Sequence, residues 1–284
     1  MEDQISLVRD NKSIAMLAPT FILDFKYPAI IGMLRELGFN KVTELTFGAR
    51  IVNWHYVEYI KNHPKQRYFI SSPCPICVTM IENSYPDLVK YLIPVVSPMV
   101  AMAKINKKHH PDYKVFFISP CFAKQKIEAP KYPAFIDGVI TLKELKLLFE
   151  NQEIKEEDFN RKYFFDSFVR EYTKIYPVSG GLAGTSHIQR LFQKGEVMIV
   201  DSINNLKTEL DLMESGENIH RFFDFLNCPG GCIGGPAINN QNLTTEQRQE
   251  KIKEYISRAS EHAIGTHAGT IDYTKDIDFS VQNK

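Results

Sequence analysis

The sequence predicts an α/β protein of two lobes, each a sheet flanked by helices. Short apolar runs alternate with stretches of helical period along most of the chain, the pattern of strands joined by packed helices. Three of the predicted strands run straight into loops that carry cysteine, and the loops at the carboxyl ends of such strands are where sites gather. The chain has 284 residues, 44% of them hydrophobic, enough to bury a substantial core at a length where one core tends to divide into two.

From the N-terminus, residues 13–19 (SIAMLAP) read as a short buried strand ending in a turn, and PAIIGMLRELGF reads as a helix stopped near Gly38. KVTELTF is a second strand. Ile51, Trp54, Val57 and Ile60 then recur at helical spacing, and RYFIS is a third strand that ends at the loop SSPCPIC. Two or three short helices lead to KVFFISP, residues 114–120, a strand that ends at Cys121. EVMIVDS and RFFDFL are strands of a second half, the latter running into NCPGGCIGGPA. The tail places Ile252, Tyr255, Ile256, Ala259 and Ala263 on one stripe of an amphipathic helix, opened by a capping box from Thr244 to Gln247. The last residues have no clear period and are expected to be a loosely attached terminus. Residues 1–240 are expected to form the functional domain, its lobes dividing near 128–139, with 241–284 as a C-terminal helix and tail.

Thirty-four basic side chains balance thirty-four acidic ones, which argues against nucleic-acid binding by bulk charge. The most apolar stretch, residues 91–102, is broken by Pro94 and Pro98, and MEDQISLVRD is too polar for a secretory signal. The expectation is a soluble, cytoplasmic protein without a membrane span. Five cysteines, Cys74, Cys77, Cys121, Cys228 and Cys232, are an odd count that points to thiolate chemistry before disulfides.

In CPGGC, Gly230 and Gly231 let the backbone fold closely around whatever Cys228 and Cys232 bind. Soft thiolates hold zinc or an iron-sulfur cluster, and buried cysteines also serve as small hydrophobes. CPIC, at Cys74 and Cys77, has the spacing of zinc ribbons and of thioredoxin-like redox sites, a weak signal alone.

Five blocks in order carry a resemblance: SSPCPICVTMIENSYPDL, VSPMVAMAK, ISPCFAKQKIEA, VSGGLAGT and NCPGGCIGGP, together with LAPT and LGFNKVTELTFGA. Over residues 13–237 the chain resembles the [FeFe]-hydrogenase catalytic domain. The resemblance implies an enzyme that interconverts protons plus electrons and H2. It implies a [4Fe-4S] cluster on Cys74, Cys121, Cys228 and Cys232, with Cys232 bridging to a two-iron subsite that carries CO, cyanide and a small dithiolate. Lys124 matches the lysine that donates to an iron-bound cyanide, Pro19 and Thr20 the turn beside the other cyanide, and Ser179, Gly180 and Gly181 a turn next to the cluster. Cys77 falls where the family has a large apolar residue and is expected to pack. Maturation proteins and a ferredoxin or redox partner subunit are implied as partners, since no cysteine remains for ferredoxin-like modules. The basic stretch KINKKHH, residues 104–110, is a candidate meeting point for an acidic donor, with a solvated charge run as the blander reading.

Departures from the family centre on protons. Pro73 replaces the thiol that passes protons to the dithiolate, Tyr56 and Tyr59 replace two relay glutamates, and Ile93 replaces a relay serine. Glu58, Glu82, Tyr85, Cys77 and ordered water are the available substitutes. Ser119 and Leu226 replace methionines, and the acidic residue that follows the lysine is shifted by one, to Glu128. These departures resemble divergent branches that include hydrogen-sensing members, so a low-turnover sensor is the alternative to the enzyme. An iron-sulfur assembly relative fits less well, because no cysteine precedes Cys74.

Overall fold

The computed structural model describes residues 2–167, 171–260 and 271–281. The first part of the chain folds as α1 (Glu2–Arg9), β1 (Ser13–Leu17), α2 (Ala29–Leu37), β2 (Lys41–Glu44), α3 (Thr46–Asn62), β3 (Phe69–Ile70), α4 (Pro75–Ser84), α5 (Pro98–His109) and β4 (Lys114–Ser119). It continues as β5 (Gly138–Thr141), α6 (Leu142–Asn151), α7 (Gly181–Ser186), β6 (Val197–Asp201), α8 (Ile203–Glu214), β7 (Phe222–Leu226) and α9 (Thr245–Ser260), with short 3-10 turns between. The fold is α/β: two parallel sheets, in orders β2-β1-β4-β5 and β3-β7-β6, flanked by helices.

Local chemistry explains the element ends. Proline opens both α4 and α5, where its fixed φ suits the helix and its missing N–H would have had no partner anyway. The capping box expected before α9 is present: Thr244 N donates to Gln247 Oε1 (2.8 Å) and Gln247 N to Thr244 Oγ1 (3.3 Å). Thr141 and Glu144 form a second one at α6.

Strand alternation divides the core. Ala15, Leu17, Phe116 and Ile118 point to one side of the first sheet with α2, while Met16, Val115 and Phe117 join α3, α5 and the Phe69 and Phe222 rings of the second sheet. Ile70, Phe223 and Phe225 face the far side of that second sheet, with Leu206 and Leu210 of α8. The middle cluster thus binds the two sheets together. β1 and β7 are buried on both faces, as central parallel strands must be.

Several expectations shift. The third strand shrinks to two residues, and β5 and the flanking helices α1, α6 and α8 go beyond the periodicity reading because their apolar sets are short. Trp54, expected on the apolar stripe of α3, is 42% exposed, although Ile51 and Ile60 are buried. The sheets also interleave along the chain: β3 lies in the second sheet while β4 and β5, later in sequence, complete the first.

The described end of the chain is packed rather than loose. Phe279 is buried, Val96 N donates to Phe279 O (2.9 Å), and Val281 N donates to Pro94 O (3.0 Å). This segment also covers part of the basic stretch offered for docking, and Asp137 takes a further lysine of it. Lys104 is buried against Asp278 O, Lys107 pairs with Asp137 (2.8 Å), Lys108 donates to Lys275 O, and His109 stacks on Tyr273. In α9, Ile252 and Tyr255 are buried as expected; the side chains of Ala259 and Ala263 lie outside the described residues.

Candidate metal centre

In the first sheet the chain moves from β1 outward to β2, then returns to place β4 on the other side of β1. The crevice at the carboxyl ends of β1 and β4 is therefore the switch point where α/β sheets bind ligands. Segments leaving β3 and β7 of the second sheet meet it there. Together they wall a cavity of about 270 Å³, lined by Cys74, Cys121, Cys228 and Cys232. Pro19, Thr20, Pro73 and Lys124 line it as well.

Three loops hold the four cysteines. Cys74 caps α4, immediately before Pro75. Cys121 N donates to Ser119 Oγ (3.0 Å), whose hydroxyl donates in turn to Cys121 O (3.1 Å). After β7, Gly231 N donates to Cys228 O (2.9 Å), and Gly235 N to Cys232 O (3.0 Å). Gly231 has a φ of 92°, and a Cβ there would stand 2.6 Å from both Pro177 O and Ser179 N. A Cβ on Gly235 would stand 2.4 Å from Pro120 O, so this glycine lets the Cys232 loop close onto the Cys121 loop. Arg248 of α9 reaches Ile233 O (3.0 Å) and fastens the same loop from behind.

Lys124 ties two loops together. It lies in a π-helical turn, Lys124–Glu128, donates to Pro73 O (2.8 Å), and forms an ion pair with Glu128. Both partners are mostly buried, at 13% and 12% side-chain exposure, so this pair is not a solvated surface contact.

Electrostatics separate the thiols. A hydrogen bond from the Cys77 thiol draws Cys74 down to about 6, against the opposing effect of burial. Burial pushes Cys121 upward and Cys228 up to about 11, and burial with the neighbouring thiols pushes Cys232 well above the ordinary range. Burial thus favours the neutral thiol at Cys121, Cys228 and Cys232. Among the described residues no three His, Cys, Asp or Glu side chains converge as a group that could hold a single metal ion. Thr20 Oγ1 and Tyr176 OH, both of residues on the cavity wall, are buried without a partner, a sign of a site built around something polar.

Ser179, Gly180, Gly181, Gly230 and Gly231 do not line the cavity. They stand one layer back: Val178 bridges to Gly231, Ser179 N donates to Gly230 O (2.9 Å), and Gly230 N donates to Asp201 Oδ2 (3.0 Å). Cys77 is wholly buried in the core between α4 and the second sheet. Thr46, Ala49, Tyr176 and Asn227, which the sequence reading did not single out, complete parts of the wall. Tyr176 carried no sequence signal, since its unpartnered hydroxyl shows only in three dimensions.

The residues matched to the missing proton relay are engaged elsewhere. Tyr56 OH accepts from Ser72 N (2.6 Å) and shares a hydrogen bond with Ser72 Oγ (2.8 Å). Glu58 pairs with Lys61, and Tyr85 donates to Asp211 (2.7 Å). A second cavity of about 380 Å³ adjoins this region, lined by Ser72, Ser97, Glu82, Glu128 and Lys131 among others. The buried Ser97 hydroxyl has no partner there.

Residues 11–236 match the family model of the iron-only hydrogenase large subunit, C-terminal domain. The chain belongs to this iron-only hydrogenase family. It is 28% identical over 287 aligned residues to iron hydrogenase 1 of Clostridium pasteurianum, covering 81% of this chain and 49% of that protein. It is 24% identical over 261 residues to the NADP-reducing hydrogenase subunit HndD of Solidesulfovibrio fructosivorans, covering 71% and 44%. The chain therefore spans about half the length of these curated relatives. Among solved structures, a variant of the [FeFe]-hydrogenase HydA1 from Chlamydomonas reinhardtii superposes with a TM-score of 0.69 at 18% identity, covering 88% of each chain. A HydA(deltaEFG) structure described as revealing stepwise H-cluster assembly matches equally well, at 0.69, 18% and 88% of each chain. Among the described residues no helix is long and apolar enough to cross a membrane.

Proposed function

We propose that this chain is a hydrogenase that interconverts two protons and two electrons with H2. The observation that carries the reading is the convergence of Cys74, Cys121, Cys228 and Cys232, from loops of both sheets, on one cavity at the switch point. Four cysteine side chains on the wall of one cavity are a donor set of the kind that holds an iron-sulfur cluster. In this reading Cys74, Cys121, Cys228 and Cys232 would hold a [4Fe-4S] cluster, and Cys232 would stand beside a linked two-iron subsite with CO, cyanide and a dithiolate. Together these groups supply a low-potential electron reservoir beside an open metal position.

The protein's own part is positioning and exclusion of water. Lys124, oriented by Pro73 O and Glu128, presents an ammonium to the cavity, where a small anion would be held by a charge-assisted hydrogen bond. Thr20 offers its unpartnered hydroxyl from the turn after Pro19. Pro19, Pro73, Ala49 and Met99 keep the wall apolar, which strengthens every polar contact inside. Within the Cys228–Cys232 loop, Gly230 and Gly231 are held from the layer behind by the Val178–Ser179 backbone, which Gly180 and Gly181 follow.

Protons follow a non-standard route, because Pro73 has no proton to give. Among the substitutes considered, Glu82 opens onto the second cavity, whose other wall includes Glu128. Electrons come from a ferredoxin or a redox partner subunit, and the two-iron subsite from maturation proteins, in the cytoplasm. The same Pro73, with Tyr56 and Ile93 at the other relay positions, favours a second reading: a hydrogen sensor of low turnover. One experiment separates the two. Anaerobic protein is rebuilt with its [4Fe-4S] cluster and a synthetic two-iron cofactor, then given reduced methyl viologen. Rapid H2 evolution supports the enzyme. CO and cyanide infrared bands without evolution support the sensor, and the absence of bands overturns both.

A further inference from the structure

Cys77 is a fifth cysteine for which the proposed ligand set has no use. It is wholly buried, packed in the core with Cys74 against it. The half-buried Cys74 side chain packs against the same core cluster, one helical turn away in sequence. The pair spans the first turn of α4: Cys74 is the residue before the helix, Pro75 its first residue and Cys77 its third. Residues three apart across a helical turn lie on one face, and C-x-x-C pairs at helix N-termini are the arrangement that oxidoreductases use for reversible disulfides. The two sulfurs also differ in access, since Cys74 lines the cavity and Cys77 does not.

We propose that Cys74 and Cys77 form a reversible disulfide in the cluster-free protein, with a small-molecule disulfide such as oxidised glutathione as the oxidant. The Cys74 sulfur attacks one sulfur of glutathione disulfide; that S–S bond breaks, one glutathione leaves as its thiol, and a mixed disulfide remains on Cys74. The Cys77 sulfur then attacks the Cys74 sulfur, and the second glutathione leaves as its thiol. Two cysteine thiols are oxidised to one disulfide, one glutathione disulfide is reduced to two thiols, and the two cysteine protons end on the two glutathiones. A dithiol reductant reverses both steps.

The consequence rests on the reading of Cys74 as a cluster ligand. With the disulfide closed, Cys74 is withdrawn and the remaining cysteines are one short of the set. The pair gates loading of the metal centre and shields Cys74 from irreversible oxidation while the cavity is empty of cluster. Cys77 thus does more than fill space in the core, although its shape also serves there.

The test uses the full chain purified without cluster, treated with glutathione disulfide, digested without reduction and mapped by mass spectrometry. The expected product is an internal Cys74–Cys77 disulfide, two hydrogens lighter than the reduced peptide. Cys77→Val, and Cys77→Ala as a second variant should the first fold poorly, should instead accumulate glutathione on Cys74, because the resolving thiol is gone. A dominant Cys228–Cys232 disulfide, or wild-type protein that stays glutathionylated at Cys74, overturns the proposal. The gate has a separate readout. Iron and sulfide uptake should be lost in the oxidised wild type and restored by dithiothreitol. If fully reduced protein also takes up no cluster, the ligand reading and the gate fall together, whereas the disulfide stands or falls on the masses alone.

Discussion

Replacing Gly231 by alanine should break the centre without touching a ligand. The residue sits at φ 92°, where an L side chain costs about 1–2 kcal/mol. The new Cβ would stand 2.6 Å from Pro177 O and from Ser179 N, whereas ordinary contact begins at 3.4 Å. Both obstacles are backbone, so no side chain can swing away; the two loop segments joined by the Val178–Gly231 bridge must part, at a further cost of about 1–3 kcal/mol, the range for overpacked sites. The combined loss is roughly 2–5 kcal/mol, a fall in melting temperature on the order of 10 °C for a chain of this size. Because Cys232 is the next residue, the displacement passes to its sulfur, and iron-sulfur reconstitution should fall with it. Gly184, in α7, is the matched control. A Cβ there meets nothing within 4 Å, and Gly184→Ala should gain about 0.5–1 kcal/mol from the reduced freedom of the unfolded chain. Thermal unfolding of the cluster-free protein, followed by circular dichroism, gives the first quantity, and iron bound after reconstitution gives the second. A Gly231→Ala protein that melts with the wild type and binds as much iron would refute the reasoning.

Four further outcomes are expected. Cys232→Ala should abolish assembly of the two-iron unit, and Lys124→Asn should weaken it while leaving the Glu128 carboxylate without its ammonium; infrared bands and bound iron measure both, and unchanged bands in Cys232→Ala would sink the ligand assignment. Pro73→Cys should raise H2 evolution if the missing thiol limits turnover, and an unchanged rate would show that another proton route already suffices. Asp224, wholly buried with one unpartnered carboxylate oxygen, is pushed by burial from 3.8 to about 6. The folded state therefore binds its proton more tightly than the unfolded chain, so its contribution to stability is present below about pH 4 and is lost as pH rises through about 6. Asp224→Asn should flatten that loss, worth roughly 3 kcal/mol at pH 7, in urea unfolding compared at pH 5 and pH 8.

The parts of the centre that were legible in the sequence are those fixed by local chemistry. Strands that end in cysteine, glycines that permit a tight loop and a capping box before α9 all act within a few residues, and each stands where its pattern placed it. The blocks that resemble the family added which cysteines belong together, a fact that no spacing supplies when the partners lie on different sheets. What stayed hidden depends on which segments the fold brings face to face. Gly180 and Gly181 carry the same signal as a ligand-binding turn, yet they serve the layer behind the cavity because the 177–179 backbone pairs with Gly231. KINKKHH has the composition of a docking patch, but the last described residues accept hydrogen bonds from Lys104 and Lys108, and Asp137 pairs with Lys107. Tyr176 reaches the wall only through a segment of irregular backbone, which has no period to read.

The manner in which the four cysteines are held bears on when the centre forms. In small metal-bound domains the ligands come together only as the metal binds, so metal binding and folding are one event. Here the loops are already joined by protein contacts: Lys124 links the Cys121 loop to Pro73, Ala237 N donates to Pro120 O (3.1 Å), and Ile233 N donates to Pro177 O (3.3 Å). None of these contacts uses a thiol. The cysteine loops are therefore held to one another by packed sheets and by contacts that leave all four thiols uncommitted. A Cys74–Cys77 disulfide has a use in such a scaffold, because closing it withdraws one thiol without undoing the contacts that hold the loops.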